Sequence, residues 1–321
     1  MTWLITGGAG YIGSHVVRSA RAAGFSVAVI DDLSTGFADR VPADVPFINA
    51  DIADTAAVAA AITRYGITGV VHLAAKKQVG ESVEKPFEYW DWNICKMMTF
   101  LDVLTAHGVS NFVYSSSAAV YGNPADGRTA LTEQTPCQPV SPYGATKLAG
   151  EVLLESLAAI DKLKGISLRY FNVAGAGDPV LADRMAFNLI PIALTQMDRG
   201  QAVTVFGTDY PTADGTCIRD YVHVEDLAEA HVAAMKYLVD GNTGHIRLNI
   251  GTGTGASVLD IVHALESCAG TEVAWQDTGR RAGDPVSVVA NVDEAARVLG
   301  WKSSRSLTDI VSSAYNAWPR N

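Results

Sequence analysis

The chain has 321 residues, of which 48% are hydrophobic and 18% charged, so it can bury a sizeable core as one large domain or two smaller ones. A formal charge of -10 and a pI near 5.1 disfavour nucleic acid or an anionic membrane as partner, since either calls for a basic face, but leave room for an anionic small molecule held by locally gathered arginines. Four widely spaced cysteines with no Cys-x-x-Cys argue against a disulfide framework or a zinc site and favour a reducing cytoplasm, and no metal is expected; neither a leader nor a run long enough to span a membrane is read from the sequence.

In chain order, Thr2 to Thr6 reads as a strand, His15 to Ala23 as a helix and Ser26 to Ile30 as a strand, a βαβ opening. The alternation continues with a helix from Ala56 to Tyr65, a strand from Gly69 to Leu73, a helix from Asn93 to Ala106, a strand from Asn111 to Ser115, a helix from Tyr143 to Ala158 and a strand from Ile166 to Tyr170. Repeated βα units predict an α/β fold with a Rossmann-like, doubly wound parallel sheet. Beyond Tyr170 the pattern is irregular and richer in glycine and proline, with a helix start at Glu225-Asp226 and a helix from Val258 to Glu266. A smaller C-terminal lobe is expected there, packed against the first with a cleft between. The expected division is 1–171 plus about 216–245 for the dinucleotide domain, and about 172–215 plus 246–321 for a substrate lobe.

Thr6-Gly7-Gly8-Ala9-Gly10-Tyr11-Ile12-Gly13 falls between the first strand and helix, where glycines let the backbone turn tightly and approach a pyrophosphate at the helix amino end. Asp31 closes the second strand, where a carboxylate can hold the adenosine ribose and repel a 2′-phosphate, favouring NAD over NADP. Farther on, Ser141-Pro142-Tyr143-Gly144-Ala145-Thr146-Lys147 puts Tyr143 and Lys147 four residues apart, on one helix face. A nearby ammonium, together with a nicotinamide cation, favours the phenolate, and bringing a tyrosine from near 10 to about 7 takes roughly 4 kcal/mol. Such a group removes a hydroxyl proton. The serines of Tyr114 to Gly122 follow a strand, so Ser117 stands at the carboxyl edge of the sheet as a second hydroxyl for proton sharing.

Other segments read as structural. Gly251-Thr252-Gly253-Thr254-Gly255 resembles a phosphate loop, but Ser257 before Val258 reads as a helix cap after a turn. His223 and His231 suit structural roles, and Glu225-Asp226 complements a helix amino end.

Gly7 to Gly13, His72-Leu73-Ala74-Ala75, Val79 to Val83, Ser115 to Gly122, Ser141 to Lys147 and Arg169-Tyr170-Phe171-Asn172 together resemble the extended short-chain dehydrogenase/reductases. Phe206 to Thr216, Arg219 to Val224 and Arg280-Arg281-Ala282-Gly283-Asp284 extend the likeness over nearly the whole chain, toward the branch that epimerises UDP-hexoses at C4. The resemblance implies Tyr143 as base, Lys147 tuning it and holding the nicotinamide ribose, and Ser117 on the sugar oxygen. It implies a NAD site lined by Gly7, Gly10, Tyr11, Ile12, Gly13, Asp31, Asp32, Leu33, Ser34, Thr35, Gly36, Asp51, Ile52, Leu73, Ala74, Ala75, Lys77, Asn93, Lys147 and Phe171. Asn172, Asn188, Leu189, Thr204, Val205, Phe206, Arg219, Arg281 and Asp284 would hold the nucleotide diphosphate, with Ser117 and Tyr143 at the sugar. Guanidinium forks suit phosphate oxygens and reconcile an acidic protein with an anionic substrate.

The implied activity is interconversion of UDP-galactose and UDP-glucose through a 4-keto sugar by a homodimer joined at the helices of Asn93 and Tyr143. A 4-epimerase of UDP-N-acetylhexosamine or UDP-uronate, a dehydratase and a reductase are the alternatives. Dehydration is disfavoured because Ala118-Ala119 stand where dehydratases carry acids. The chain departs from the family at Trp92 and at Cys95-Lys96-Met97, in the segment from Gly177 to Phe187, and at Val288, where relatives carry a tyrosine or a smaller residue that makes room for an N-acetyl group.

Overall fold

The computed structural model describes residues 1–123, 130–185, 187–281 and 283–319. Seven parallel strands form the main sheet: β1 (Thr2–Thr6), β2 (Ser26–Asp31), β3 (Phe47–Asn49), β4 (Ile67–His72), β5 (Asn111–Ser117), β6 (Lys164–Tyr170) and, beyond three strands of the smaller sheets, β10 (His245–Ile250). Their spatial order, β10-β6-β5-β4-β1-β2-β3, is that of a doubly wound fold whose chain reverses direction beside β1. The flanking helices are α1 (Tyr11–Ala22), α2 (Thr55–Tyr65), α3 (Val79–Glu84), α4 (Pro86–Trp90), α5 (Lys96–Ala106) and α6 (Pro142–Ala158).

Strand alternation sorts the core into two layers. Trp3, Ile5, Val27, Val29, Val71, Val113, Ile166 and Leu168 face one side. Leu4, Ala28, Ile30, Val70, Phe112 and Tyr114 face the other, against Met97, Phe100 and Leu104 of α5. Local chemistry fixes the helix ends. Asp54 accepts from Ala57 N at 2.9 Å and Gly66 ends α2 in the left-handed conformation at φ 60°. Ser141 accepts from Gly144 N at 3.1 Å, with Pro142 at the first helical position of α6.

The remainder comprises β7 (Asn172–Ala174), α7 (Leu189–Asp198), β8 (Val203–Val205), β9 (Ile218–His223), α8 (Val224–Val239), β11 (Gly255–Ser257), α9 (Val258–Ala269), β12 (Trp275–Asp277), β13 (Ser287–Val288), α10 (Asp293–Leu299) and α11 (Leu307–Ala317). Strand β9 is the centre of a small sheet with β11, β13 and β7, while β12 pairs with β8.

The sequence boundaries shift in three places. Residues 246–250, expected in the smaller lobe, lie in β10 and pair with β6 in the main sheet. Ile218–His223, expected in the dinucleotide domain, is the middle strand of the small sheet. Ala295 and Trp301 belong to the main-sheet core rather than to that of the small lobe. A strand joins the sheet its pairing partner offers, and that partner is remote in sequence.

Among the described residues no helix is long and apolar enough to cross a membrane.

Candidate active site

In a parallel sheet every strand delivers its following loop to the same edge, and the candidate residues follow from that. Thr6, Asp31, Asn49, His72, Ser117 and Tyr170 end their strands at the carboxyl edge. Gly7 to Gly13, Asp31 to Gly36, Asp51, Leu73 to Lys77, Ser117 and Phe171 therefore lie along one edge of the sheet, the trough in which a dinucleotide is expected.

The glycine turn fits a pyrophosphate. Gly7 has φ 68°, and a Cβ on Gly13 would lie 2.1 Å from Gly7 O. Gly10 caps α1 without a side-chain bond, and the first turn carries no acid, so the helix amino end presents free N–H groups. The helix begins at Tyr11 rather than His15, because the glycine turn leads directly into it. Asp31 accepts from Ala9 N and Leu33 N, both at 2.9 Å. Burial pushes its carboxyl up, and the two N–H donors oppose that rise. Leu33 holds φ 60°, a left-handed conformation unusual for leucine. A Cβ on Gly36 would lie 2.8 Å from Asp31 Oδ1, so glycine lets the 31–36 turn close on the acid. These residues present what a dinucleotide needs: a close backbone approach for its phosphates and an acid for its ribose.

Tyr143 and Lys147 lie one turn apart on α6. Lys147 is 2% exposed, and its Nζ donates to Ser115 O at 2.7 Å and lies 5.9 Å from the Tyr143 ring centroid. Burial lowers the lysine to about 7. Burial also raises the Tyr143 phenol, and a hydrogen bond with Ser117 opposes this. Among the protein's own groups burial dominates, and the expected lowering also calls on the nicotinamide cation. Ser117 both caps the following turn, accepting from Ala119 N at 3.1 Å, and bonds toward Tyr143. Tyr89 packs edge-on against Tyr143 at 6.4 Å.

Asn93 sits in a π-helical turn, Asp91–Cys95, that leads into α5. Its Oδ1 accepts from Lys76 N at 2.9 Å, and its Nδ2 donates to Lys76 O and Thr146 Oγ1, both at 3.0 Å. It locks the loop after β4 to α6.

On the small sheet, Arg281 donates twice to Asp284, at 3.1 and 3.0 Å, and Arg219 Nη2 approaches the same carboxylate at 3.8 Å. Phe206 lies 5.1 Å from the Arg281 guanidinium. Val288 pairs in register with Arg219 and packs against the buried cluster of Val120, Tyr121, Leu131, Phe171 and Ala290, which joins this group to the turn after Ser117. Ala282 lies outside the described residues, as does Ala186 of the segment before α7. Asn172 is exposed. Asn188 precedes α7 and donates to Asp183 at 3.2 Å.

Several expected contacts belong to side chains used elsewhere. Tyr11 donates to Gly175 O at 2.6 Å, Leu189 packs in the small-lobe core, and Ile52, Val205 and Phe171 are buried, so these offer a ligand backbone rather than side chain.

Sequence reading missed a buried network beneath the site. Glu151, the next residue on the Tyr143-Lys147 face, receives Arg169 at 2.9 and 2.6 Å and Ser116 Oγ at 2.5 Å. The four-residue spacing from Lys147 was its only signal. Beside it, Thr6 Oγ1 shares a 2.9 Å bond with His72 Nδ1 and accepts from Leu73 N and Ala74 N, at 3.1 and 3.2 Å. The glycine-threonine loop after β10 wraps a protein carboxylate: Thr252 N and Gly253 N donate to Asp220, at 2.7 and 2.9 Å, and Ser257 caps α9 as expected. His223 caps α8, and His231 Nδ1 donates to Leu227 O while its Nε2 accepts from the Tyr170 hydroxyl inside the core. Asp226 does more than complement a helix end, since it is fully buried and paired with Arg305 at 2.5 Å.

The sheet order, the glycine turn with its ribose acid and the Tyr-x-x-x-Lys helix define a Rossmann-type, dinucleotide-dependent enzyme of alcohol chemistry. The profile of the NAD dependent epimerase/dehydratase family matches residues 3–251, and the chain belongs to that family. A UDP-glucose 4-epimerase of Corynebacterium glutamicum is 42% identical, covering 99% of this chain and 95% of the relative. Another from Azospirillum brasilense is 41% identical over 99% and 92%. The crystal structure of a Stenotrophomonas maltophila UDP-glucose-4-epimerase with bound NAD and formylated UDP-arabinopyranose superposes with a TM-score of 0.94 at 40% identity, covering 99% of this chain and 97% of that one.

Proposed function

We propose that the protein interconverts UDP-galactose and UDP-glucose, with NAD held through the cycle. The observation that carries the reading is the meeting at one sheet edge of the Tyr143-Lys147-Ser117 group with the glycine turn, while a separate pair, Arg219 and Arg281, gathers on Asp284 at the small sheet. NAD, when bound, supplies the reversible hydride acceptor for C4. Tyr143 takes and returns the C4 hydroxyl proton, with the positive charge of the oxidised nicotinamide offsetting the burial that raises its phenol. Lys147 holds the cofactor's ribose side of the site, and Ser117 hydrogen-bonds the sugar oxygen. Arg219 and Arg281 grip the diphosphate, and Asp284 keeps both forks aimed. Firm nucleotide fixation with a loosely held sugar lets a 4-keto intermediate turn and present its other face.

The lobe carrying the small sheet receives the nucleotide, with Asn172, Asn188 and Phe206 at its mouth. Val288, intermediate in bulk, leaves UDP-N-acetylhexosamines as the second substrate class. A cytoplasmic homodimer is proposed on α5, α6 and the π-helical turn; Met98 of α5 and Val152 of α6 are exposed, as are Phe87 and Trp90 of α4 just before the turn, apolar side chains suited to a second copy.

The test is incubation of the purified protein with UDP-galactose and no added cofactor, following the anomeric NMR signals. A stable mixture with UDP-glucose is expected. Absence of conversion after NAD is supplied refutes the substrate, and substantial turnover by Tyr143→Phe refutes the base.

A further inference from the structure

Lys96 and Trp92 are departures from the family pattern, and the structure brings them together at one end of the trough. Lys96 Nζ lies 2.5 Å from Asp51 Oδ2 and 3.7 Å from the Trp92 ring centroid. The other carboxylate oxygen of Asp51 accepts from Ala53 N at 2.8 Å. Lys76 Nζ lies 5.4 Å from the same indole. The pair is partly shielded, with side-chain exposures of 19% for Lys96 and 33% for Asp51.

Position gives this contact its meaning. Asp51 follows β3, one strand outward from Asp31 at the end of β2. If Asp31 takes the adenosine ribose, the base lies beyond it toward β3, where Asp51 offers an acceptor to its amino group. Lys96 reaches that acid from the start of α5. It therefore ties the segment after β3 to α5, and its ammonium is braced by an indole face. A bridge of this kind has to open for the base to leave.

We infer that Lys96, seated between Asp51 and Trp92, is a latch over the adenine end of the NAD site and sets the rate at which the cofactor escapes. The inference rests on the assignment of Asp31 and Asp51 to the adenosine half. Its action is on retention and not on the C4 chemistry some distance along the trough. Salt weakens such a pair, because the screening length falls from about 10 Å at 0.1 M to about 3 Å at 1 M.

The experiment loads the protein with labelled NAD and chases with unlabelled NAD at low and at high salt. Wild type is expected to release label slowly at low salt and faster at high salt. Lys96→Met is expected to release roughly tenfold faster at low salt, the weight of one charge-assisted bond, with little further response to salt. Lys96→Arg should restore most of the retention. Equal or slower release from Lys96→Met overturns the latch; slower release means the lysine competes with the base for Asp51. Should Lys96→Met fail to fold, the wild-type salt response stands alone as the test, and a flat response overturns the latch. Wild type that binds no NAD at all removes the adenosine assignment itself, an outcome separate from any change in rate.

Discussion

Replacing Glu151 with glutamine tests how strongly the catalytic helix is held. Glu151 and Arg169 are 0% and 2% exposed, and two bonds of 2.9 and 2.6 Å join them. The carboxylate also receives Ser116 at 2.5 Å and Arg247 at 3.2 Å. Glutamine keeps the shape but leaves the Arg169 charge without its counter-charge in a dry environment, a change that costs about 3 to 5 kcal/mol. Arg247 contributes little to that cost, since its Nη2 already reaches Glu155 at 2.5 Å near solvent. A loss of about 3 kcal/mol in urea unfolding is expected, with an unchanged m-value. At about 2 cal/mol/K of unfolding entropy per residue, this corresponds to a fall of about 5 °C in Tm. Arg169→Met on a Glu151→Leu background should recover part of the loss, because neither charge then remains buried. A Glu151→Gln protein within about 1 kcal/mol of wild type would refute the reasoning, since the pair would then be solvated rather than buried.

Gly13→Ala should abolish NAD retention, read from the absorbance of the purified protein, because its Cβ would lie 2.1 Å from Gly7 O; a variant that keeps NAD contradicts the tightness of that turn. Arg281→Ala should raise KM for the UDP-sugar roughly tenfold or more with NAD content unchanged, and an unaltered KM would remove Arg281 from the substrate site. Acid should destabilise the fold. Burial lowers His72 to about 3 and His15, His231 and His245 to about 4, so the unfolded chain binds more protons as pH falls below about 6.5. Stability is then lost between about pH 6.5 and 4, of order 2 kcal/mol per histidine at pH 5. Asp31, Asp220 and Glu133, raised by burial, work in the opposite sense and soften the slope. A urea midpoint flat from pH 7 to 5 would contradict this balance.

What the sequence revealed tracks how local the determining physics is. Five strands of the main sheet, β1, β2, β4, β5 and β6, and the helix of Tyr143 were legible because apolar periodicity and turn glycines act over a few residues, whereas the three-residue β3 at the sheet edge was not read. The glycine turn and Asp31 were legible because a dinucleotide constrains backbone at fixed spacing. The three-residue strands β7, β8, β11 and β12 were not, since too few residues alternate and their partners are distant. Helix α7 was masked by Pro191 within its first turn. The Glu151-Arg169 pair and the reach of Lys96 to Asp51 join positions 18 and 45 residues apart, and only the fold brings them together. The burial that raises the Tyr143 phenol was hidden for a related reason: spacing reveals a neighbouring lysine, but not how much water the fold removes.

The path of the backbone has a consequence for altering this enzyme. The chain leaves the main sheet after Tyr170, returns from β9 through α8 and β10, departs again after Ile250, comes back with α10 and ends on the small lobe with α11. No single cut separates main-sheet from small-lobe sequence. Grafting another sugar preference by exchanging one contiguous segment would therefore sever several strand pairings at once, whereas a change at one position lining the cleft leaves the weave intact.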